Sequence, residues 1–509
     1  MSDAYSATDE EHSDPEGRGG DGPAPDDRSG ADGDGPAPGE RPPGPRGLPL
    51  VGSTFSIARD PVDFLEAVPE YGDVARYEAY GREFVVVTRP DLVEAVLVTR
   101  SDEFWRGEFE GEFSEFLGIE GVLFAEGDDW RRQRLMLQSA FTPDRVKAYA
   151  DHMVSETARL VDGWADGEVI DANEVSAVLT LRVLTRSLFA LELDGERAAV
   201  VRRWTDAMGD YLDASAFGVR ALLPDWVPDK RARAFERATE DVSALVDELV
   251  AERRREGTDG DDLLSLLARA EAPDGTALDS TEVRDQLLIF LIAGHETTAT
   301  ALTYACWLLA GDRGARTRLD AELNRVLDGR DPAAADLEDL VWTEAICREA
   351  MRLYPPFPFI DREPHEPTTL GGYRIEPGTT VQLNAYGVHR DERWWDDPEV
   401  FRPERWVTDG GGEPVSGDGE LDRDVEKSVD DESEEIVGAG GAGRPEYAYF
   451  PFGGGPRHCL GMRFAMTELQ LSLAALARRV AFERVTESLE PTVRVSLDPG
   501  TVELRVRKR

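Results

Sequence analysis

Two stretches of this chain bring together residue types able to do redox or acid–base chemistry. Near the C-terminus, FGGGPRHCLG (452–461) spends three consecutive glycines and a proline to present one cysteine, Cys459. The other two cysteines, Cys306 and Cys347, sit far away in apolar, helix-like segments. A disulfide partner is therefore missing, and a tetrahedral zinc site would want four Cys or His ligands where only His458 is near. Glycines let a backbone approach a flat ligand and adopt φ > 0, so that main-chain N–H groups can point at a sulfur. An amphipathic pattern resumes after Gly461, placing Cys459 just before a helix N-terminus, where the thiolate is favoured. Taken alone, the loop reads equally well as a structural cysteine in a tight turn. The second stretch, AGHETT (293–298), sets a carboxylate and a hydroxyl, Glu296 and Thr297, side by side in an apolar helix, as proton delivery requires. Its plainer reading is a polar kink with Thr297 bonded back to its own helix. Beside Cys459, Arg457 adds a planar fork that suits a carboxylate.

The elements around them are mostly helical. Long helical patterns run from Trp130 to Leu353, and one that starts near Asp279 continues to about Gly311, roughly 45–50 Å. Asp279 with Glu282 three residues on has the form of a capping box. Val74 to Thr88 reads as a hairpin with Gly81 near its turn, and Pro90 opens a helix through Leu97. Residues 368–383 read as another hairpin and 492–508 as one more, turning at Pro499-Gly500. Phe104 to Asp129 reads as a loop-rich stretch, in which Phe109, Phe113, Phe116 and Leu117 are candidates to line a pocket.

Composition narrows the classes. The chain carries 102 acidic and 57 basic residues, a net charge of −45, so nucleic acid is excluded as a partner because phosphate binding needs clustered cations. Only four residues are lysine (Lys147, Lys230, Lys427 and Lys508), and an acidic, lysine-poor surface suits a high-salt, halophilic cytoplasm. Three cysteines make no disulfide framework, which fits a reducing compartment. The N-terminus lacks the basic and apolar regions of a signal peptide, and LLIFLIAG (287–294) is too short to span a bilayer, so a cytoplasmic protein without a transmembrane anchor is expected. Residues 1–40 hold twelve acidic and two basic residues and read as a disordered tail. The expected single large domain covers 41–509, opened by RPPGPRGLPLVGS and interrupted by an acidic, glycine-rich surface insertion at 407–446.

The full spacing at the cysteine loop decides among these readings. Phe452, Gly455, Arg457, Cys459 and Gly461 match F-x-x-G-x-R-x-C-x-G, and the chain so resembles the cytochrome P-450 family, whose cysteine thiolate is the proximal ligand of haem iron. Other features stand in family order. REAMRLYPP (348–356) gives Glu349 and Arg352, and FRPERW (401–406) gives Arg405; the resemblance implies that these three form a structural network, not a catalytic one. AGHETT resembles the oxygen-activating stretch, with Thr297 and Glu296 as catalytic candidates. A glycine inside an apolar helix costs about 1 kcal/mol, so Gly294 implies something lying close, such as O2 in a backbone groove. Trp130, Arg134, Arg362 and Arg457 become candidates for the haem propionates. His389 is expected to be structural, and His458 to point away from iron.

The resemblance implies a mainly α fold with a smaller β portion and haem b between the 280–311 helix and the Cys459 loop. It implies a monooxygenase that inserts one atom of O2 into a small apolar substrate, lipid-, alkane- or isoprenoid-like. No flavin module or iron–sulfur cysteine cluster is visible, so electrons are expected from a separate ferredoxin and its reductase, landing on the Arg131, Arg132 and Arg134 neighbourhood. A peroxygenase would lack the acid–alcohol pair, which is intact here, and a haem sensor would carry an output module, which is not visible.

Overall fold

The proline-rich lead-in is tied down by its backbone, with Arg76 N donating to Pro43 O at 2.8 Å. From there the chain enters the small β portion. Val74–Ala79 and Arg82–Val87 form the expected hairpin, in register Val74↔Val87 to Ala79↔Arg82. Tyr80 (φ 53°) and Gly81 (φ 76°) make its turn with two positive φ values, the handedness that a two-residue hairpin needs. Five strands make this sheet, in the order Val74–Ala79, Arg82–Val87, Thr380–Leu383, Ile360–Pro364, Phe104–Trp105. This computed structural model describes residues 40–49, 51–191, 195–212, 229–257, 260, 262–270, 278–408, 435–436 and 443–509. The acidic tail at 1–40, apart from Glu40, and most of the 407–446 insertion lie outside them. At the insertion's root, Val407–Thr408 pairs antiparallel with Glu435–Ile436.

Helices dominate the rest, a mainly α single domain with a smaller β part. The central helix spans Ser280–Gly311, 32 residues and so about 48 Å. Asp279 caps its start by accepting from Thr281 N. Glu282 pairs with Arg132 at 2.7 Å, so it serves an ion pair between helices rather than the expected capping box. Apolar residues lie on every side of the central helix because it is packed almost all round. Ala172–Leu188, Val341–Leu353 and Met462–Arg479 all lie against it.

Three expected elements come out differently. The stretch after Phe104 is not merely loop: Glu108–Leu117 is a helix framed by Gly107 and by Gly118, whose left-handed φ of 64° ends it with amide bonds to Glu115 O and Ser114 O. Residues 368–383 contain a short hairpin, Thr368–Leu370 with Tyr373–Ile375, but Thr380–Leu383 leaves it to run parallel to Arg82–Val87 in the large sheet. The tail is not one hairpin about Pro499. Thr492–Val493 pairs with Leu497–Asp498, while Glu503–Lys508 pairs with Val480–Arg484 and Val169–Asp171, more than 300 residues away on one side. Such long-range pairing leaves no trace in local turn chemistry.

Candidate active site

Glu349 and Arg352, one helical turn apart, are fully buried, with Arg352 Nε and Nη2 donating to the two carboxylate oxygens at 2.9 and 2.8 Å. Arg405 Nε, Arg402 N and Trp406 Nε1 complete the cage around Glu349 at 3.0, 3.0 and 2.8 Å. Arg352 Nη1 extends it to the carbonyls of His389 and Pro398. The cage pins the segment that leads into the cysteine loop. His389 Nε2 accepts from Phe450 N at 2.9 Å, so the buried imidazole is neutral and holds the loop's entrance.

The loop itself is shaped by its neighbours. Gly455 has φ +61°, and a Cβ there would lie 1.8 Å from Leu97 O, within the π-turn Ala95–Thr99. No side chain is possible at that contact. Gly455–Arg457 then turns as a 3-10 helix, Cys459 N donates to Phe452 O at 2.9 Å, and Met462 opens the helix that runs to Arg479. Of the three free cysteines, Cys459 is exposed, whereas Cys306 and Cys347 are buried. Burial by the surrounding protein leaves the Cys459 thiol above its ordinary value, although the Gly461 and Met462 amides and Arg134 offset part of that rise. Burial drives Cys306 up to about 12 with no such relief.

From Leu287 to Leu309 the central helix is buried except at Ala293, Gly294, Glu296 and Thr297, so it is accessible in the one place where the sequence put its acid–alcohol pair. Thr297 Oγ1 donates to Ala293 O at 2.8 Å, the back-bonded geometry. Gly294 has a packing reason of its own: a Cβ there would meet Leu184 Cδ1 at 2.4 Å on the helix alongside. Glu296 accepts from Ser496 Oγ at 3.0 Å, and burial raises its carboxyl to about 7.

Arginines gather on the other side of the loop. Arg457 stacks 4.6 Å above the Trp130 ring and donates Nη2 to Ala125 O and to Glu126 at 3.0 and 2.5 Å, yet its buried Nη1 has no partner among the described residues. Arg362 is buried and bonded to the Asp361 carbonyl. Burial, with Arg106 and Arg457 nearby, lowers it to about 10. Arg134 Nη1 donates to His458 O at 2.7 Å. Crowded, partly desolvated guanidiniums with an open donor call for anions, so this donor set fits two carboxylates beside a thiolate. Haem would be held by Cys459 at iron and by Arg457, Arg362, Arg134 and Trp130 at its propionates. Glu126, which orients Arg457, could not be found from sequence because 331 residues separate the pair.

One other expectation changes. Arg131 and Arg132 are matched to Asp128 (2.9 Å) and Glu282 (2.7 Å), so this neighbourhood is not a bare positive patch. Phe109 meets Phe84 of the sheet edge-on, ring centroids 5.7 Å apart, and Leu117 is buried in the main core. The side chains of Phe113 and Phe116 lie outside the described residues.

The cytochrome P450 family model matches residues 42–503. The chain is 31% identical over 463 residues to cyclooctatin synthase of Streptomyces melanosporofaciens, covering 90% of this chain and 94% of that one. It is 28% identical to pentalenene oxygenase of Streptomyces avermitilis, covering 91% and 97%. Retinoic acid-bound cyanobacterial CYP120A1 shares the fold with a TM-score of 0.76 at 22% identity, covering 93% of this chain and all of that one. The chain belongs to the cytochrome P450 family. It is thus an oxidoreductase that incorporates oxygen and binds haem through a cysteine thiolate, working with O2 and redox partners. Among the described residues no helix is long and apolar enough to cross a membrane.

Proposed function

We propose that this P450 hydroxylates or epoxidises an isoprenoid hydrocarbon, with electrons from a separate ferredoxin and its reductase in the cytoplasm. The observation that carries the substrate class is the kinship with enzymes named for terpene-related substrates, cyclooctat-9-en-7-ol 5-monooxygenase and pentalenene oxygenase, the former 31% identical over 86% of this chain. Hydroxylation balances as RH + O2 + 2e⁻ + 2H⁺ giving ROH + H2O, with the electrons supplied by the ferredoxin. The haem, when bound, supplies oxygen activation, and its thiolate favours O–O cleavage. This chain's residues do the rest. Cys459 would ligate the iron, and two amides and Arg134 offset part of the rise that burial imposes on its thiol. Thr297 offers a hydroxyl and Glu296 a carboxyl near neutral pKa at the accessible window of the central helix, a value suited to passing protons at physiological pH. Arg457, Arg362 and Arg134 neutralise the propionates, and the buried stripe of Leu287–Leu291 keeps bulk water off that helix.

The test is spectroscopic. Reduced, CO-bound protein should show a Soret band strongly red-shifted from that of histidine-ligated haem, lost in Cys459→Ala. Titration with sesquiterpene and diterpene hydrocarbons should then shift the spin state at lower concentrations than fatty acids or n-alkanes do. A histidine-like band would overturn the haem-thiolate reading, and a preference for fatty acids would overturn the substrate class.

A further inference from the structure

The central helix presents a stripe of three residues at i, i+4 and i+8 to the tip of the hairpin formed by Thr492–Val493 and Leu497–Asp498. Glu296 accepts from Ser496 Oγ at 3.0 Å, Thr300 Oγ1 lies 3.2 Å from the same hydroxyl, and Tyr304 OH donates to Leu497 O at 3.0 Å. Ser496 is 1% exposed, and Leu497 N donates to Pro356 O at 2.8 Å, so the tip is anchored on two sides. Around it stands a polar cluster. Arg494 Nε and Asp498 Oδ2 are 3.3 Å apart, and Asn173 Nδ2 donates to Asp498 Oδ1 at 3.0 Å. Asp206, on the helix Gly195–Leu212, is exposed and electrostatically coupled to Glu296, to Arg494 and to Glu174. One position along the helix, about 100° around it, Thr297 faces elsewhere and bonds to Ala293 O.

We infer that the C-terminal hairpin is the proton-supply side of the site, and that Ser496, braced by Thr300, is the positioning residue that holds the Glu296 carboxyl to it. Protons reach Glu296 from the side of the Asp498–Arg494 cluster and reload it after it has given one up. Ser496 has two roles in this. Its hydroxyl fixes the carboxyl rotamer, and its donated hydrogen bond opposes the rise that burial imposes, keeping Glu296 able to release its proton near neutrality. Asp498 and Asp206 push the carboxyl up and Arg494 pulls it down, so the hairpin and the helix opposite tune the same group. The inference rests on the monooxygenase reading only for what the proton is used for.

The test is a pH titration of the resting holoenzyme by infrared difference spectroscopy, reading the protonated carboxyl band that disappears in Glu296→Gln. In the wild type this band should titrate near pH 7. Ser496→Ala should move its midpoint upward by half a pH unit or more, and Ser496→Thr, which keeps the hydroxyl, should bring it back. Asp498→Asn should move it downward, and this second variant decides the matter if Ser496→Ala does not fold. During NADPH-driven turnover through a surrogate ferredoxin and reductase, Ser496→Ala should release several-fold more hydrogen peroxide per NADPH, with no added effect in a Glu296→Gln background. A midpoint unmoved by both Ser496→Ala and Asp498→Asn would overturn the inference. The CO-bound spectrum tests the haem-thiolate reading separately, since it does not depend on where Glu296 titrates.

Discussion

Glu349 shows how a buried charge can be tolerated at the scale of one residue. Burial alone would raise its carboxyl, but the Arg352 and Arg405 guanidiniums and the Arg402 amide more than offset this and hold it below the usual range. Removing the carboxylate strands two buried cations, and breaking such a set costs roughly 3–5 kcal/mol, a large share of a typical stability. Glu349→Gln should therefore lower the urea midpoint sharply and reduce the yield of folded protein. Its pH dependence has a definite sign. A carboxyl whose folded value lies below its unfolded value of about 4.3 stabilises the fold above that pH. The contribution disappears as pH falls through the folded value. Wild type and Glu349→Gln should differ most above pH 5 and converge on acidification. A constant gap down to pH 3 would mean that packing around Trp406, not charge, sets the loss.

At the scale of elements, the central helix packs tightly against its neighbour at Gly294. Alanine there gains about 1 kcal/mol of helix propensity but places a methyl group 2.4 Å from Leu184 Cδ1 in a full core, and overpacking costs about 1–3 kcal/mol. The clash should win modestly, because Leu184 ends in a side chain that can rotate. Gly294→Ala should lower the melting temperature by a few degrees, and adding Leu184→Val should recover part of the loss. An unchanged or raised melting temperature in Gly294→Ala would show that the two helices do not depend on that contact. Much of this element's role could be read from sequence. The Asp279 cap, the apolar run, AGHETT and the cysteine spacing are all local signals. The contacts that finish the site are not. Ser496 lies 200 residues from Glu296, Leu97 must meet Gly455 backbone to backbone, and the closing strand Glu503–Lys508 finds Val169–Asp171 across the chain. Local pattern says which residues can act, and only packing says which are brought to face them.

The whole molecule carries a charge imbalance that no set of ion pairs can remove. Ten of its 45 net negative charges belong to residues 1–40 and ten to 407–446, which leaves about 25 on the body. Every cation could be paired and the excess would remain. Two effects of added salt oppose each other. Screening weakens surface pairs such as Arg131–Asp128, worth about 0–1 kcal/mol each. It also relieves the self-repulsion that net charge imposes on a compact state. The second effect should win here, because unpaired carboxylates outnumber what arginine can match and because the innermost network, Glu349 with Arg352 and Arg405, is buried and scarcely screened. The Debye length falls from about 10 Å at 0.1 M to about 3 Å at 1 M, so most of the gain should come within that range. Raising KCl from 0.1 to 1 M should therefore raise the melting temperature by several degrees, with a plateau beyond. An equiosmolal addition of sorbitol should not reproduce the shape of that curve. A melting temperature that falls with KCl would mean that surface ion pairs, not relief of repulsion, govern stability, and would remove the physical basis for reading the acidic surface as an adaptation to salt.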